Sequence, residues 1–364
     1  MRAFIRRETL PSFWGSLEMA FALQPARISP MEALSAEALP AGTGWQFEPK
    51  WDGFRCLAYR DGARCILMGK SGKPLTIFFP EIASALRNFR SKRFVIDGEL
   101  VIPVEDLLSF EALQARLHPA ESRRRKLAAE TPAVFVVFDM LASGNRKLVD
   151  QGLAERREAL EELFSGLADA SRFRLSPYTR RLATARAWLK SAGRGILDGV
   201  IAKPLNQPYQ CGKRAMMKVK NLKTADCVVG GFRYASGSRQ VGSLLLGLFN
   251  NRGRLDHVGF TSGFAALDRA ALTRKLLSLK GAPGFSGNAP GGPSRWSTER
   301  SAQWIPVKNV LVAEVRYDHV TDGRFRHGTK FLRWRPDKDA RACTFEQLRP
   351  EVRPSKIVSA LLQR

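Results

Sequence analysis

Glu48-Pro49-Lys50-Trp51-Asp52-Gly53-Phe54-Arg55 sets a lysine at a turn just before a run in which apolar and polar residues alternate, Phe54 to Arg60. The string Lys-x-Asp-Gly is short, and by itself it fits a strand–turn–strand with a surface lysine. Its company changes that reading. Downstream, in order, stand Asp97-Gly98-Glu99, Phe138-Asp139, Asp198-Gly199-Val200-Ile201-Ala202-Lys203, Lys218-Val219-Lys220 and Arg335-Pro336-Asp337-Lys338.

Around these strings the periodicity alternates between two kinds. Residues 54–60 and 94–102 repeat every second position, as half-buried strands do. Residues 80–89, 109–118, 155–164 and 184–192 place apolar side chains three and four apart, as helices do. Strands interleaved with helices, without a regular βαβ rhythm, predict an α+β domain on antiparallel sheets over 23–222. Beyond it, VVGGFRY, GSLLLGLFN and RLDHVGFTS are short strands separated by Gly, Ser and Asn turns, followed by a helical pattern over 265–279 and a return to strand. That order suits a small five-stranded barrel of the oligonucleotide-binding (OB) type over 223–350. Residues 1–22 read as an N-terminal extension and 351–364 as a C-terminal tail. The Gly- and Pro-rich stretch 281–294 is expected to be a mobile loop.

Charge narrows the partners. Fifty-nine Lys and Arg against thirty-four Asp and Glu give +25, which attracts polyanions, nucleic acid first among soluble ones. Residues 222–364 hold 24 basic and 11 acidic residues, so the C-terminal part is the denser attractor. The concentrated run Arg123-Arg124-Arg125-Lys126 is either solvated surface or a nucleic-acid contact. Five cysteines without a CxxC pair or nearby histidines argue against a disulfide framework or a zinc site, and favour a reducing cytoplasm. No apolar run approaches membrane-spanning length, so no membrane association is expected, and the N-terminus carries no recognisable signal peptide.

The ordered strings resemble the collinear motifs of the nucleotidyltransferase superfamily, which comprises ATP-dependent ligases, RNA ligases and mRNA capping enzymes. Spacing and flanking residues are most similar to the short bacterial DNA ligases, ligase C and the ligase domain of ligase D, over roughly residues 23–345. The resemblance implies an ATP-dependent DNA ligase, an adenylation domain followed by an OB barrel, that seals nicks through a covalent lysyl-AMP in DNA repair. It implies ATP and Mg2+ or Mn2+ as cofactors, and nicked duplex DNA as substrate. It further implies a monomer, other DNA-repair proteins as partners, and a bacterial cytoplasmic, nucleoid-associated location.

The resemblance assigns roles by position. Lys50 is the nucleophile, with Asp52 beside it. Glu48 meets the adenine amino group, Phe138 stacks on one face of the base and Val200 packs on the other. Arg55 and Glu99 hold the ribose hydroxyls, and Lys70 contacts phosphate. Asp198, with Glu99, holds the metal. Lys203, Lys218 and Lys220 face the phosphates, and Arg335, Asp337 and Lys338 close over ATP from the barrel to orient pyrophosphate. Three positions depart from the family pattern: Lys70 replaces a forked arginine, Asp198 a longer glutamate, and Met216 an aromatic residue.

The chemistry gives the set a physical reason. A lysine attacks the α-phosphate of ATP only as the neutral amine, yet a free lysine has a pKa of about 10.4. Crowding Lys50 with Lys203, Lys218 and Lys220 is expected to disfavour its charged form, and the same cations neutralise the departing pyrophosphate. The ordinary alternatives are core packing for Phe138, a hairpin surface for Glu99, and a solvated sheet face for Lys218 and Lys220. At the level of function the alternatives are an RNA ligase or capping-type enzyme, or a non-catalytic nucleic-acid-binding protein on a ligase scaffold.

Overall fold

The computed structural model describes residues 28–167, 169–193, 197–264, 267–291 and 303–348. The expected extension 1–22 and tail 351–364 lie outside the described residues, as do parts of the 281–294 stretch and the start of the 265–279 helix.

Two sheets make the first part. One has four strands in the order Glu32–Ser35, Arg214–Val219, Gly199–Pro204, Trp45–Lys50. The other runs Phe173–Leu175, Val134–Ser143, Arg93–Val101, Phe54–Asp61, Arg64–Gly69. All but two of these pairings are antiparallel: Glu32–Ser35 with Arg214–Val219, and Phe173–Leu175 with Val134–Ser143. The chain passes from one sheet to the other at Trp51-Asp52-Gly53. Gly53 is needed at that crossing, because a Cβ there would collide with the Leu100 carbonyl oxygen. Gly199, at φ 146°, has the same reason: a Cβ would meet the Val219 carbonyl of the neighbouring strand.

The helix Leu182–Ser191 covers the four-stranded sheet, packing Ala185 with Phe47, Val200 and Ala202. Pro80–Ala85 and Leu153–Ser165 place Ile82, Leu160 and Leu163 against the outer face of the larger sheet. Phe110–Ala115 is capped by Ser109, whose side chain accepts from the Ala112 N–H. These helices fall where the periodicity puts them. The helix Glu121–Glu130, which carries the basic run, does not show in the pattern because none of its residues is buried.

From Lys223 the strands belong to a separate sheet, in the order Val241–Phe249, Leu255–Gly263, Thr329–Trp334, Val312–Tyr317, Lys223–Tyr234, with Ile305–Pro306 on its edge. Lys223–Tyr234 also pairs with Val241–Phe249, which closes a five-stranded barrel. The helix Arg269–Ser278, capped by Asp268, sits between the third and fourth long strands. The described part of the stretch expected to be a mobile loop, 281–291, is pinned instead. Phe285 is buried in the barrel core, the Gly287 N–H donates to the Leu255 carbonyl, and Asn309 Nδ2 donates to the Gly284 carbonyl. Glycine and proline density marks an irregular backbone, and one anchoring aromatic side chain is enough to fix it.

Candidate active site

A cavity of about 220 Å³ lies between the two sheets of the first part. Strand alternation selects its lining. Glu48 and Lys50 share one face of Trp45–Lys50, Ile201 and Lys203 one face of Gly199–Pro204, and Met216 and Lys218 one face of Arg214–Val219, and all six line the cavity. The opposing sheet contributes Arg55, Lys70, Glu99 and Phe138. The structure corrects one assignment. Val200 points to the other side of its strand, fully buried with Phe47, Ala185 and Ala202, and Ile201 occupies the position expected of it.

The inner end is a paired floor. Lys203 Nζ lies 2.8 Å from Glu48 Oε2, both side chains nearly inaccessible, and Gln46 Nε2 donates to Glu48 Oε1 at 2.9 Å. Two cations approach the Phe138 ring: Lys203 Nζ and Arg55 Cζ each stand 4.6 Å from its centroid. Arg55 is fixed by a bidentate pair with Asp97, both contacts 2.6 Å. Tyr209 Oη also donates to Asp97, at 2.6 Å, and accepts from the Met31 N–H at 2.9 Å, while Arg55 Nη2 donates to the Met31 carbonyl. This closed ring ties Arg55 to the segment before Glu32–Ser35. Sequence reading missed Tyr209, and only a motif extended upstream of Lys218 would have shown it.

At the outer end stands Lys50. Its Nζ forms an ion pair with Asp198 Oδ2, and the Lys50 carbonyl accepts from the Asp198 N–H at 2.7 Å. Asp198 Oδ1 is shared by Lys220, at 3.1 Å, and His319 Nε2, at 2.5 Å. Burial pushes the Asp198 carboxyl up, but the His319 hydrogen bond, Lys50 and Lys220 outweigh it and hold it below the usual carboxylate range. Glu99 shows the opposite balance: burial raises it to about 7 against the pull of Lys50 and Arg55.

The expected crowding of Lys50 by Lys203, Lys218 and Lys220 is therefore corrected in part, because two of the three charges are neutralised by partners. Lys203 is committed to Glu48, and Lys220 to Asp198 and Asp318. Lys218 alone of the three makes no ion pair among the described residues, and burial with the nearby Lys50, Lys220 and Lys70 lowers its pKa. Lys70 lies 3.1 Å from Glu32 at the rim.

The barrel reaches this end through a hairpin, Val320–Thr321 paired with Arg324–Phe325, and its flanks. Asp318 Oδ2 accepts from Lys220 Nζ at 2.8 Å, His319 meets Asp198, and Arg326 Nη1 donates to Asp52 Oδ2 at 2.7 Å. The Arg326 guanidinium also lies 3.4 Å from the Phe110 ring centroid. None of these barrel residues was singled out from sequence, although His319 is one of only four histidines in the chain and sits beside an acid.

The structure does not bring Arg335, Asp337 and Lys338 to the cavity. Arg335 pairs with Asp226, at 2.9 Å, and with Asp337, at 2.8 Å, and Lys338 stands 4.0 Å from Asp226. They follow the strand Thr329–Trp334, whereas the barrel meets Asp52, Asp198 and Lys220 through the hairpin before it and its flanks.

A metal does not fit at Asp198 in this domain arrangement. Both of its oxygens are occupied by Lys50, Lys220 and His319, and no group of three His, Cys, Asp or Glu side chains among the described residues is placed to hold an ion. The basic run is partly self-paired: Arg125 with Glu121 at 2.6 Å and Lys126 with Glu130 at 3.7 Å, while Arg124 donates to the His118 carbonyl and lies over Phe78.

Comparison with known proteins decides the family. A profile described as ATP dependent DNA ligase domain matches residues 29–220, and one described as ATP dependent DNA ligase C terminal region matches 237–338. The chain belongs to the ATP-dependent DNA ligase family. It is 44% identical to DNA ligase C2 of Mycolicibacterium smegmatis, over 91% of this chain and 97% of that one. It is 43% identical to DNA ligase C of Mycobacterium tuberculosis, over 88% and 93%. A solved Lig E DNA ligase superposes with a TM-score of 0.55 at 18% identity, covering 85% of this chain and all of that one, and so shares the fold. The resemblance to ligase C and the α+β fold with its terminal barrel are thus borne out. Among the described residues, no helix of this ligase is long and apolar enough to cross a membrane.

Proposed function

We propose that this ligase seals nicks in duplex DNA through AMP carried on Lys50. The observation that carries the reading is the position of Lys50, at the mouth of a pocket whose floor is the Glu48–Lys203 pair and whose wall is Phe138. Glu48 is poised to accept from an adenine amino group, Ile201 and Phe138 to sandwich the base, and Arg55 and Glu99 to face the ribose. Lys218 and Lys70 stand on the phosphate side.

Chemistry follows from these placements. The Lys50 amine attacks the α-phosphorus of ATP, forming an N–P bond as pyrophosphate leaves. That attack requires the Lys50 ammonium first to give up a proton, since an ammonium has no lone pair, and the nitrogen releases a second proton to solvent as the phosphoramide forms. AMP then passes to the 5′-phosphate at a nick, and the 3′-hydroxyl displaces it. A covalent intermediate of this kind divides one hard step into easier ones. The basic surface, with Arg123, Arg125 and Lys126 exposed on their helix, suits contact with DNA phosphates without reading sequence. Magnesium or manganese remains the expected cofactor, to be seated only once Asp198 is released from its cationic partners. A monomer acting in bacterial DNA repair, beside other repair proteins in the cytoplasm, completes the reading.

The test supplies ATP, GTP or NAD to the purified protein with nicked DNA or nicked RNA duplex. Sealing of DNA with ATP alone is expected. Sealing confined to RNA, or labelling by GTP, contradicts the reading.

A further inference from the structure

Tyr209 stands outside the sequence motifs and does not line the cavity, yet it is joined to three of the segments that do. Its Oη donates to Asp97 Oδ2 at 2.6 Å, the oxygen that also receives Arg55 Nη2. The same Oη accepts from the Met31 N–H at 2.9 Å, and Met31 lines the cavity. Its ring lies 5.7 Å from Arg156 Cζ, and Arg156 is paired with Asp139, the chain neighbour of Phe138. Asp97 and Asp139 stand opposite each other on adjacent strands, both sealed from solvent. Like charges so placed destabilise a sheet unless each is countered, and each here has its own arginine.

The hydroxyl turns these contacts into one unit. Asp97 takes the Nε and Nη2 of Arg55, and Nη2 also donates to the Met31 carbonyl at 3.2 Å. Arg55 lines the cavity, and its Nη1 makes no hydrogen bond among the described residues, so that nitrogen is left for a ligand. Where it points depends on how firmly Asp97 and Met31 are held to one another, and the Tyr209 Oη bonds to both. The loop bearing Tyr209 is itself anchored. Its N–H donates to the Val149 carbonyl at 2.7 Å, the Gln210 N–H to Met31 Sδ at 3.3 Å and the Gly212 N–H to the Ser29 carbonyl at 3.1 Å. A site built to hydrogen-bond a hydroxyl rejects the analogue that lacks it, provided the donor is held in place.

We infer that Tyr209 is a positioning residue for the sugar specificity of the cavity. By tying Asp97 to Met31 it aims Arg55 at the ribose, so that ATP is preferred to 2′-deoxyATP when Lys50 is charged. The inference rests on Lys50 being the adenylated residue and on Arg55 facing the ribose.

The experiment uses Tyr209→Phe in the full chain, which keeps the ring and its packing and removes only the hydroxyl. Adduct formation is followed by mass with magnesium over a series of ATP or 2′-deoxyATP concentrations, and kcat/KM is taken for each nucleotide. Both come from one preparation, so a lower folded fraction cancels in their ratio. In Tyr209→Phe the preference for ATP is expected to shrink about tenfold, the size of one hydrogen bond to a charged group, through a higher KM for ATP with kcat kept. In Arg55→Lys, which breaks the forked pair, the preference should already be narrow, and adding Tyr209→Phe should narrow it no further. Equal losses with both nucleotides, an unchanged preference, or further narrowing in the double variant overturns the inference. A parent that charges equally with both nucleotides also overturns it, whereas a parent that takes up no AMP at Lys50 overturns the reading of the nucleophile.

Discussion

Lys203 and Glu48 form an ion pair, 2.8 Å long and almost sealed from solvent, at the floor of the cavity where the base is expected to sit. They lie diagonally across two antiparallel strands, Glu48 being opposite Ile201 and Lys203 opposite Gln46. Each charge is tolerated there because of the other. Removing one partner leaves an uncompensated buried charge, which costs about 3–5 kcal/mol. Lys203→Met should therefore lower the unfolding free energy by that order in denaturant melts. The double replacement Lys203→Met with Glu48→Gln should recover part of it, a coupling readable as a double-mutant cycle. Additive losses would show that the pair is not coupled.

Glu99 gives the account a pH signature. Burial raises its pKa from 4.5 to about 7 in the folded chain, so between those values the native state binds more protons than the unfolded one. Its contribution to stability is therefore greatest below about pH 4.5 and is lost as pH rises to about 7. Glu99→Gln removes this dependence. The stability of the variant relative to the parent should climb across that window and level off above it, measured by denaturant melts at a series of pH values. A constant difference would place Glu99 outside the buried pocket.

Salt should weaken DNA binding steeply. With a net charge of +25, log affinity is expected to fall with log salt by about 0.9 per phosphate contact neutralised. Replacing Arg123, Arg125 and Lys126 together tests whether their helix contributes. If these side chains touch DNA, the slope flattens by up to about 0.9 for each. An unchanged slope assigns the run to its intrahelical pairs with Glu121 and Glu130.

Arg335 stands away from the cavity. The family resemblance gives it a role over the pyrophosphate, and here it is parked on Asp226 and Asp337. Arg335→Ala should slow AMP uptake from ATP at least tenfold, as loss of a charge-assisted contact to phosphate would, while leaving the sealing of a pre-adenylated nick near the parent rate. Rapid-quench measurement of both decides it. Loss of sealing alone would assign Arg335 to the DNA-bound arrangement.

What could be read from the sequence, and what could not, follows from which interactions leave a local trace. The strand holding Lys218 was legible from the alternation of Lys218 and Lys220, whereas Lys50 and Lys203 were found by motif and not by alternation along their strands Trp45–Lys50 and Gly199–Pro204. Val200 was misplaced by one residue, and in a strand one residue is the difference between pocket and core. The helix Glu121–Glu130 left no trace because its stabilising pairs, Glu121–Arg125 and Lys126–Glu130, are polar and it has no buried face. Asp318, His319 and Arg326 act on residues 98 or more positions away, across a domain boundary, and no spacing rule reports such a contact. Nor could the sequence show that Asp198 would be shared by three partners, or that Lys203 would be spent on Glu48 instead of crowding Lys50.

The central claim is that Lys50 carries AMP, and mass analysis of the protein after incubation with ATP and magnesium tests it most directly. The parent should gain one AMP, mapped by peptide digestion to Lys50. Lys50→Ala should gain none and fail to seal an ordinary nick, while still sealing a pre-adenylated nick at a reduced rate. An AMP adduct of undiminished amount in Lys50→Ala would contradict the account.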